Sequence, residues 1–282
     1  MMQIHKAVIP AAGMGTRMLP ITKSQPKEMM PVVHKPVIQY VVEEAYHAGV
    51  TDILIITGKG KHAIEDHFDY MNNDTHSKYL DDLDKILDEV NIFYIRQKKL
   101  KGLGDAVSYA KSFVESEPFA LLLGDTITIP PCINQLIEVY KKYEVSVIGL
   151  ETVPKNRVHC YGIIDGFKIS ETIYKITSLV EKPDEKLAPS NLAILGSYIL
   201  SPEIFACIEE VEPGFGGEKQ LTDALSHLLE KEGIVGYRYT GTRYDIGNKT
   251  DWLKANIELA LKDPELGPEI RIFIEEFLAS GK

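Results

Sequence analysis

The sequence is poor in cysteine. It has three in 282 residues, and Cys132, Cys160 and Cys207 show no C-x-x-C spacing. This pattern argues against a disulfide framework or a zinc site on paired cysteines, and it suits a reducing cytoplasm. No apolar stretch reaches the length of a membrane span, and the opening M-M-Q-I-H-K lacks the charged start and apolar run of an export signal. Positive charge is also in deficit: 31 Lys and Arg stand against 41 Asp and Glu, a formal net of −10, with a pI near 5.4. A nucleic-acid binder would show a dominant basic face, so none is expected. Two common phosphate loops are missing as well. The string G-x-x-x-x-G-K-S/T occurs nowhere. The dinucleotide pattern G-x-G-x-x-G fails at Met18, and Val33 stands where its acid would be. His62, His67 and His76 do not share helical i, i+4 spacing, so they read as solvated surface residues rather than metal ligands.

What is present is an ordinary globular composition, 44% hydrophobic and 26% charged, long enough to bury a large core. Its most distinctive stretch runs from Ile9 to Tyr40. It follows a short apolar strand (Ala7, Val8, Ile9) with a glycine-bearing turn, the place where open α/β sheets bind ligands. Between Gly13 and Pro36, Arg17, Lys23, Lys27 and Lys35 face only Glu28, so a cationic island lies in an acidic chain. Prolines at 20, 26, 31 and 36 hold it extended. Gly13 and Gly15 let the backbone approach a nucleotide and donate N–H groups, while Arg17 and Lys27 bring fixed charge to its phosphates.

Downstream, Pro36 and the apolar positions Val37, Tyr40, Val41, Ala45 and Ala48 predict a helix ending at Gly49. Ile53–Thr57 reads as a buried parallel strand, and strand, helix, strand makes a right-handed crossover. Helices are expected over 61–70 and 79–90, with a polar loop at 72–77, then a strand over 91–95. A further strand over 119–123 ends in Gly124 and Asp125, a carboxylate placed either to hold Mg²⁺ beside phosphates or simply to cap the next turn. A helix over 131–143 and a strand over 145–150 follow. Beyond Thr152 the pattern turns hairpin-like, and at Val180–Pro183 the pair Glu181 and Lys182 suits a ligand that is anionic at one end and all hydroxyls at the other. Residues 191–200 and 234–239 read as strands, and 216–230 as a packed helix with a charged rim. Helices over 248–262 and 268–278 close the chain, lying against a partner subunit or the sheet edge.

The segments A-A-G-M-G-T-R, P-K-E-M and K-P-V-I-Q-Y resemble the signature of the sugar-phosphate nucleotidyltransferases, and in particular the bacterial UTP:glucose-1-phosphate uridylyltransferases. E-K-P, G-E-K-Q-L-T-D-A and R-Y-D-I-G extend the resemblance through nearly the whole chain. It implies a single α/β domain, Rossmann-like, with a mixed, mostly parallel sheet and helices on both faces. Residues 1–150 would form a nucleotide-binding half, 151–248 a sugar-phosphate half, and 249–282 the C-terminal helices. It implies Mg²⁺ on Asp125 and Asp245, and UTP and glucose 1-phosphate as substrates. Ala12, Gly13, Gly15, Gln97 and Gly102 would contact the nucleotide, the Gln97 amide matching the donor and acceptor edge of uracil. Gly162, Glu181 and Gly196 would contact the sugar, although Gly162 reads equally well as a bulge glycine. Arg17 and Lys27 would meet the departing pyrophosphate, and Lys182 the incoming phosphate. The family usually carries a second acid where this chain has Thr126. A homo-oligomer, dimer or tetramer, is expected. The rival readings are a thymidylyltransferase, an enzyme for another sugar 1-phosphate, and a noncatalytic nucleotide-sugar sensor; Met18 and Val33 disfavour a dehydrogenase.

Overall fold

The computed structural model describes residues 3–70 and 78–280. The expected polar loop at 72–77, with His76, lies outside them. From the amino terminus the elements are β1 (Lys6–Pro10), the short hairpin β2 (Pro31–Val32) and β3 (Lys35–Pro36), α1 (Val37–His47) and β4 (Asp52–Thr57). Next come α2 (His62–His67), α3 (Lys78–Glu89), β5 (Asn91–Arg96), α4 (Leu103–Ser108), α5 (Lys111–Val114) and β6 (Phe119–Leu122). The second half comprises β7 (Thr126–Ile129), α6 (Ile133–Tyr143), β8 (Ser146–Thr152), β9 (Gly162–Lys168), β10 (Ile173–Glu181), β11 (Leu192–Leu200) and α7 (Ile204–Glu210). It closes with α8 (Leu221–Glu232), β12 (Ile234–Arg238), β13 (Thr242–Asp245), α9 (Lys249–Lys262) and α10 (Gly267–Ala279).

Nine strands form one sheet in the order β5-β4-β1-β6-β11-β8-β12-β10-β9. Their pairings run seven of them in one direction and reverse only β10 and β11; the sheet is mixed rather than mostly parallel, because placing the two reversed strands inside it makes five of its nine pairings antiparallel. Side chains alternate across it, as the two-residue strand period requires. Ala7, Ile9, Ile53, Ile55, Ala120 and Leu122 face a core completed by α1, α2, α3 and α6. Val8, Leu54, Ile56, Phe119 and Leu121 face the opposite core, completed by α4, α5, α7 and α8. With apolar side chains required on both faces, these strands read as continuous Ile/Val/Leu runs.

The order β5-β4-β1 followed by β6 on the far side of β1 makes a topological switch point at the β1/β6 boundary. The crevice beyond the carboxyl ends of those strands is where ligands bind in such sheets. The opposite wall comes from β11, whose Ser197 pairs with Leu122 at the end of β6, so residues 192–196 project past that edge. There β11 meets β9, with Ala193 opposite Ile163.

Two elements escape a local reading of the sequence. β7 and β13 form a separate antiparallel ribbon that pairs Asp245 with Thr126. A third core of Met18, Met30, Val32, Val37, Ile127, Tyr244, Ile246 and Ala255 packs beneath it. That core fixes the amino-terminal loop, the ribbon and α9 to one another. Of the two placements expected for the closing helices, the sheet edge is not the one taken: α9 lies on β13 and β2, and α10 lies on α9. The helix expected from Gly216 starts instead at Leu221, because Gly216 and Gly217 both take positive φ.

Candidate active site

The loop after β1 carries Arg17, Lys23 and Lys27 on three successive 3₁₀ turns. Gly15, at φ +65°, caps the turn Thr16–Met18 in a conformation that costs other residues strain. That turn buries Met18 and turns Arg17 outward. Its guanidinium donates to the Asp245 carboxylate at 3.3 Å. The Lys27–Met29 turn follows Pro26, and the buried Lys27 ammonium donates to Asp125, passing over Gly13, where a Cβ would be 3.7 Å from its Nζ.

Asp125 and Asp245 are far apart in the chain, and the ribbon brings them together. Asp245 is in register with Thr126, and the Ile246 N–H donates to the Asp125 carbonyl at 2.9 Å. The meeting point is Gly247, the last residue of R-Y-D-I-G. A Cβ there would stand 2.9 Å from the Arg17 guanidinium, 2.9 Å from Asp245 and 3.2 Å from Asp125. The Gly247 N–H also donates to Asp245 at 2.9 Å. Arg17, Lys27, Asp125 and Asp245 are thus one cluster.

Burial by itself would raise the Asp125 carboxyl, but the Lys27 ammonium, the hydrogen bond from it and Arg17 outweigh that and hold it below the usual carboxylate range. Burial would likewise lower the Lys27 ammonium; Asp125 and Glu28 reverse the sign and keep it protonated. Glu28, a lone acid in the basic stretch, is 1% exposed and receives the buried Lys61 ammonium at 2.5 Å. A Lys61 that pairs with it from the loop after β4 was not legible, since the sequence separation hides the contact.

The residues expected to contact the sugar form a second cluster on the opposite wall. Lys182 reaches Glu181 at 2.8 Å, and the Thr222 hydroxyl donates to the other Glu181 oxygen at 2.6 Å. A Cβ on Gly162 would be 2.8 Å from that hydroxyl and 3.3 Å from Glu181, so a close approach, beyond any bulge, requires glycine here. Thr222 was read only as part of a packed helix. Gly196 sits at the irregularity in β11 beside Leu123.

The third group is Gln97, 4% exposed, whose amide donates to Asp105 at 2.7 Å. Gly102, at φ +103°, passes so close to the chain at 218–219 that a Cβ would fall 2.5 Å from the Lys219 carbonyl. That segment leads directly into Thr222, which ties the Gln97 group to the second cluster. Ala12 is buried beneath Gly58. Of the histidines, His62 is exposed, but His67 is half-buried, with its Nε2 3.1 Å from the Gln39 side-chain amide oxygen, and is therefore not a fully solvated surface residue.

Asp125, buried, and Asp245, half-buried, are each paired with a cation at the switch-point crevice that the Glu181–Lys182 pair also borders. The nucleotidyl transferase pattern matches residues 6–261. The chain belongs to that family. This nucleotidyl transferase is 48% identical to the UTP–glucose-1-phosphate uridylyltransferase of Staphylococcus epidermidis, over 98% of this chain and 99% of that one. It is also similar to a crystal structure of UDP-glucose pyrophosphorylase complexed with UDP-glucose, at 41% identity and a TM-score of 0.88, covering 93% of this chain and 100% of that one. A UTP-bound UGPase from Acinetobacter baumannii matches at 36% identity and 0.86, over 97% and 99% of the two chains.

Nucleotidyl transferases generally use a divalent metal ion. The donor set fits one. Among the described residues no cluster of three or more His, Cys, Asp or Glu forms a complete cage, but a cation that borrows oxygens from substrate phosphates needs only one or two carboxylates. Asp125 and Asp245, each with a cationic side chain against it, provide that pair. Among the described residues no helix is long and apolar enough to cross a membrane.

Proposed function

We propose that this nucleotidyl transferase moves the uridylyl group of UTP onto glucose 1-phosphate, giving UDP-glucose and pyrophosphate. The observation that carries the reading is the convergence of Arg17, Lys27, Asp125 and Asp245 about Gly247, a placement suited to a triphosphate.

An oxygen of the sugar phosphate attacks the α-phosphorus of UTP as the bond to pyrophosphate breaks. The nucleophile is ionised near neutral pH, since a phosphate monoester loses its second proton at about pH 6, so no general base is required. The obstacle is repulsion between anions, met by positioning and preorganised charge. Arg17 and Lys27 face the departing pyrophosphate. Lys182, oriented by Glu181 and Thr222, holds the incoming phosphate, while Glu181 and Gly162 line the hexose. Gln97 and Gly102 border the base. Asp125 and Asp245 would hold Mg²⁺, which would supply charge neutralisation to the phosphates.

Residues 1–150 serve the nucleotide, 151–248 the sugar phosphate, and 249–282 the assembly. The exposed Ile272, Phe273 and Phe277 of α10 favour a homo-oligomer. Cys132, Cys160 and Cys207 are unpaired thiols, which accords with a cytoplasmic setting.

The test is pyrophosphate release from UTP or dTTP with a panel of sugar 1-phosphates and Mg²⁺. UTP with glucose 1-phosphate should give the highest kcat/KM. A preference for dTTP, or nucleotide-sugar binding without pyrophosphate release, would replace the reading by one of its rivals.

A further inference from the structure

The site described so far has two walls, and one buried side chain spans them without an assigned part in the chemistry. Arg243 lies on β13, two residues before Asp245, so the two side chains leave the same face of the strand. Its side chain is 8% exposed. Its Nε donates to Glu151, near the end of β8, at 2.5 Å. Its guanidinium also lies over the Tyr161 ring, 5.2 Å from the centroid. Arg157 also lies over that ring, 5.8 Å from its centroid, and donates to the phenol oxygen at 2.9 Å. The Tyr161 carbonyl in turn accepts the backbone N–H of Lys182 at 3.0 Å, and Lys182 holds φ +45°, unusual for a residue with a Cβ.

We infer that Arg243 is a positioning residue for the incoming sugar phosphate: it braces Tyr161, and through the Tyr161 carbonyl Lys182, against the strand that carries Asp245. The inference rests on the uridylyl-transfer reading and adds a residue to it. A guanidinium is suited to the task because its edge pairs with a carboxylate while its flat face stacks on a ring; a lysine ammonium cannot do both. Stability alone is a weak reason for such a pair, because neutral residues of similar volume often replace a buried ion pair without loss. What such a replacement discards here is the fixed distance between the group that grips the acceptor phosphate and the acid beside the donor phosphate.

Two variants test this. The double variant Glu151→Gln/Arg243→Met removes both charges and leaves neither buried alone. Arg243→Lys keeps the charge and loses the Nε–H donor to Glu151 and the guanidinium over Tyr161. Both should melt close to wild type. Both should lose about 10²-fold in kcat/KM for glucose 1-phosphate, the scale of a misplaced reacting group, while the KM for UTP stays unchanged. In calorimetry UDP-glucose should bind more weakly and UTP as before. Wild-type kinetics in either folded variant, parallel drift of the UTP and glucose 1-phosphate constants, or failure of both variants to fold would each overturn the inference and leave Arg243 as a stability element. A wild-type protein that releases no pyrophosphate would refute the uridylyl-transfer reading instead. The brace would then be decided by the calorimetry, where equal loss of UDP-glucose and UTP affinity refutes it.

Discussion

Replacing Lys27 by Met keeps the length of the side chain and removes the ammonium that faces Asp125. Both members of the pair are largely buried, with 17% and 12% of their side chains exposed, so surface screening relieves little of the loss. Removing one partner of a buried pair costs about 3–5 kcal/mol. The lower end applies, because Arg17 remains near Asp125 and the orphaned carboxyl can take up a proton. A loss of about 3 kcal/mol at roughly 2–4 °C per kcal/mol lowers the melting temperature by roughly 6–12 °C. Magnesium should then act differently on the two proteins. In the wild type a metal must compete with the Lys27 ammonium for Asp125; in Lys27→Met the carboxylate has no such occupant. A ligand at a hundred times its Kd stabilises by about 2.7 kcal/mol, enough to recover most of the deficit. Activity should not recover, since loss of one preorganised charge costs about 10²–10³-fold in kcat. Thermal melts in EDTA and in Mg²⁺, alongside a pyrophosphate-release assay, provide the readout. Equal Mg²⁺-induced shifts in the two proteins, or near wild-type turnover in the variant, would refute the reasoning. The pH dependence has a definite sign. The folded-state Asp125 pKa is depressed, so the stabilisation is full above the ordinary carboxylate value and is lost as pH falls through the folded one. The wild-type advantage over the variant should shrink in acid.

Gly247→Ala places a methyl group among Arg17, Asp245 and Asp125 at 2.9–3.2 Å; kcat should fall by about 10²-fold in steady-state assays while circular dichroism stays native. Thr222→Val removes the hydroxyl that donates to Glu181, and a bond to a charged group is worth about 1.5–3 kcal/mol, so the KM for glucose 1-phosphate should rise at least tenfold with the KM for UTP unmoved. Glu44, whose carboxylate accepts from Thr128 and from the N–H groups of Cys132 and Ile133 at the start of α6, has its pKa raised by burial. Its most favourable state lies below the unfolded carboxylate value, and that contribution is lost as pH rises through the folded one. Glu44→Gln keeps an acceptor for both backbone donors, so urea melts should show its stability relative to wild type increasing from pH 5 to pH 8.

How far the sequence could be read follows from where each signal resides. The runs Val8–Ile9 and Ile53–Thr57 predict buried parallel strands because both faces of the sheet need apolar side chains, and those strands are present. The cationic glycine loop was legible for the same local reason: Gly15, Arg17 and Lys27 lie within one turn-rich segment. The β7–β13 ribbon was not. T-I-T-I has the alternation of a half-buried strand, but nothing in it names T-R-Y-D as its partner, and register is a property of the pair. Asp245 therefore entered through resemblance alone. Glu28 was counted as a residual negative charge on a basic loop, yet it is buried and answered by Lys61 from another loop.

These unread contacts share a physical cause that bears on function. Transfer between two anions needs charges from distant segments held at fixed separation in a poorly hydrated space, where each unpaired charge is costly. Glu181 and Lys182 pair as neighbours, but four other charges here are balanced by a residue from elsewhere in the chain: Lys27 by Asp125, Arg17 by Asp245, Glu28 by Lys61, Arg243 by Glu151. In each of these four a local stretch supplies one half of the pair, and only the closed sheet supplies the other. Folding and assembly of the site are therefore one event. It follows that substitutions at the second members, which lie outside the most recognisable motif, should impair transfer as deeply as substitutions within it.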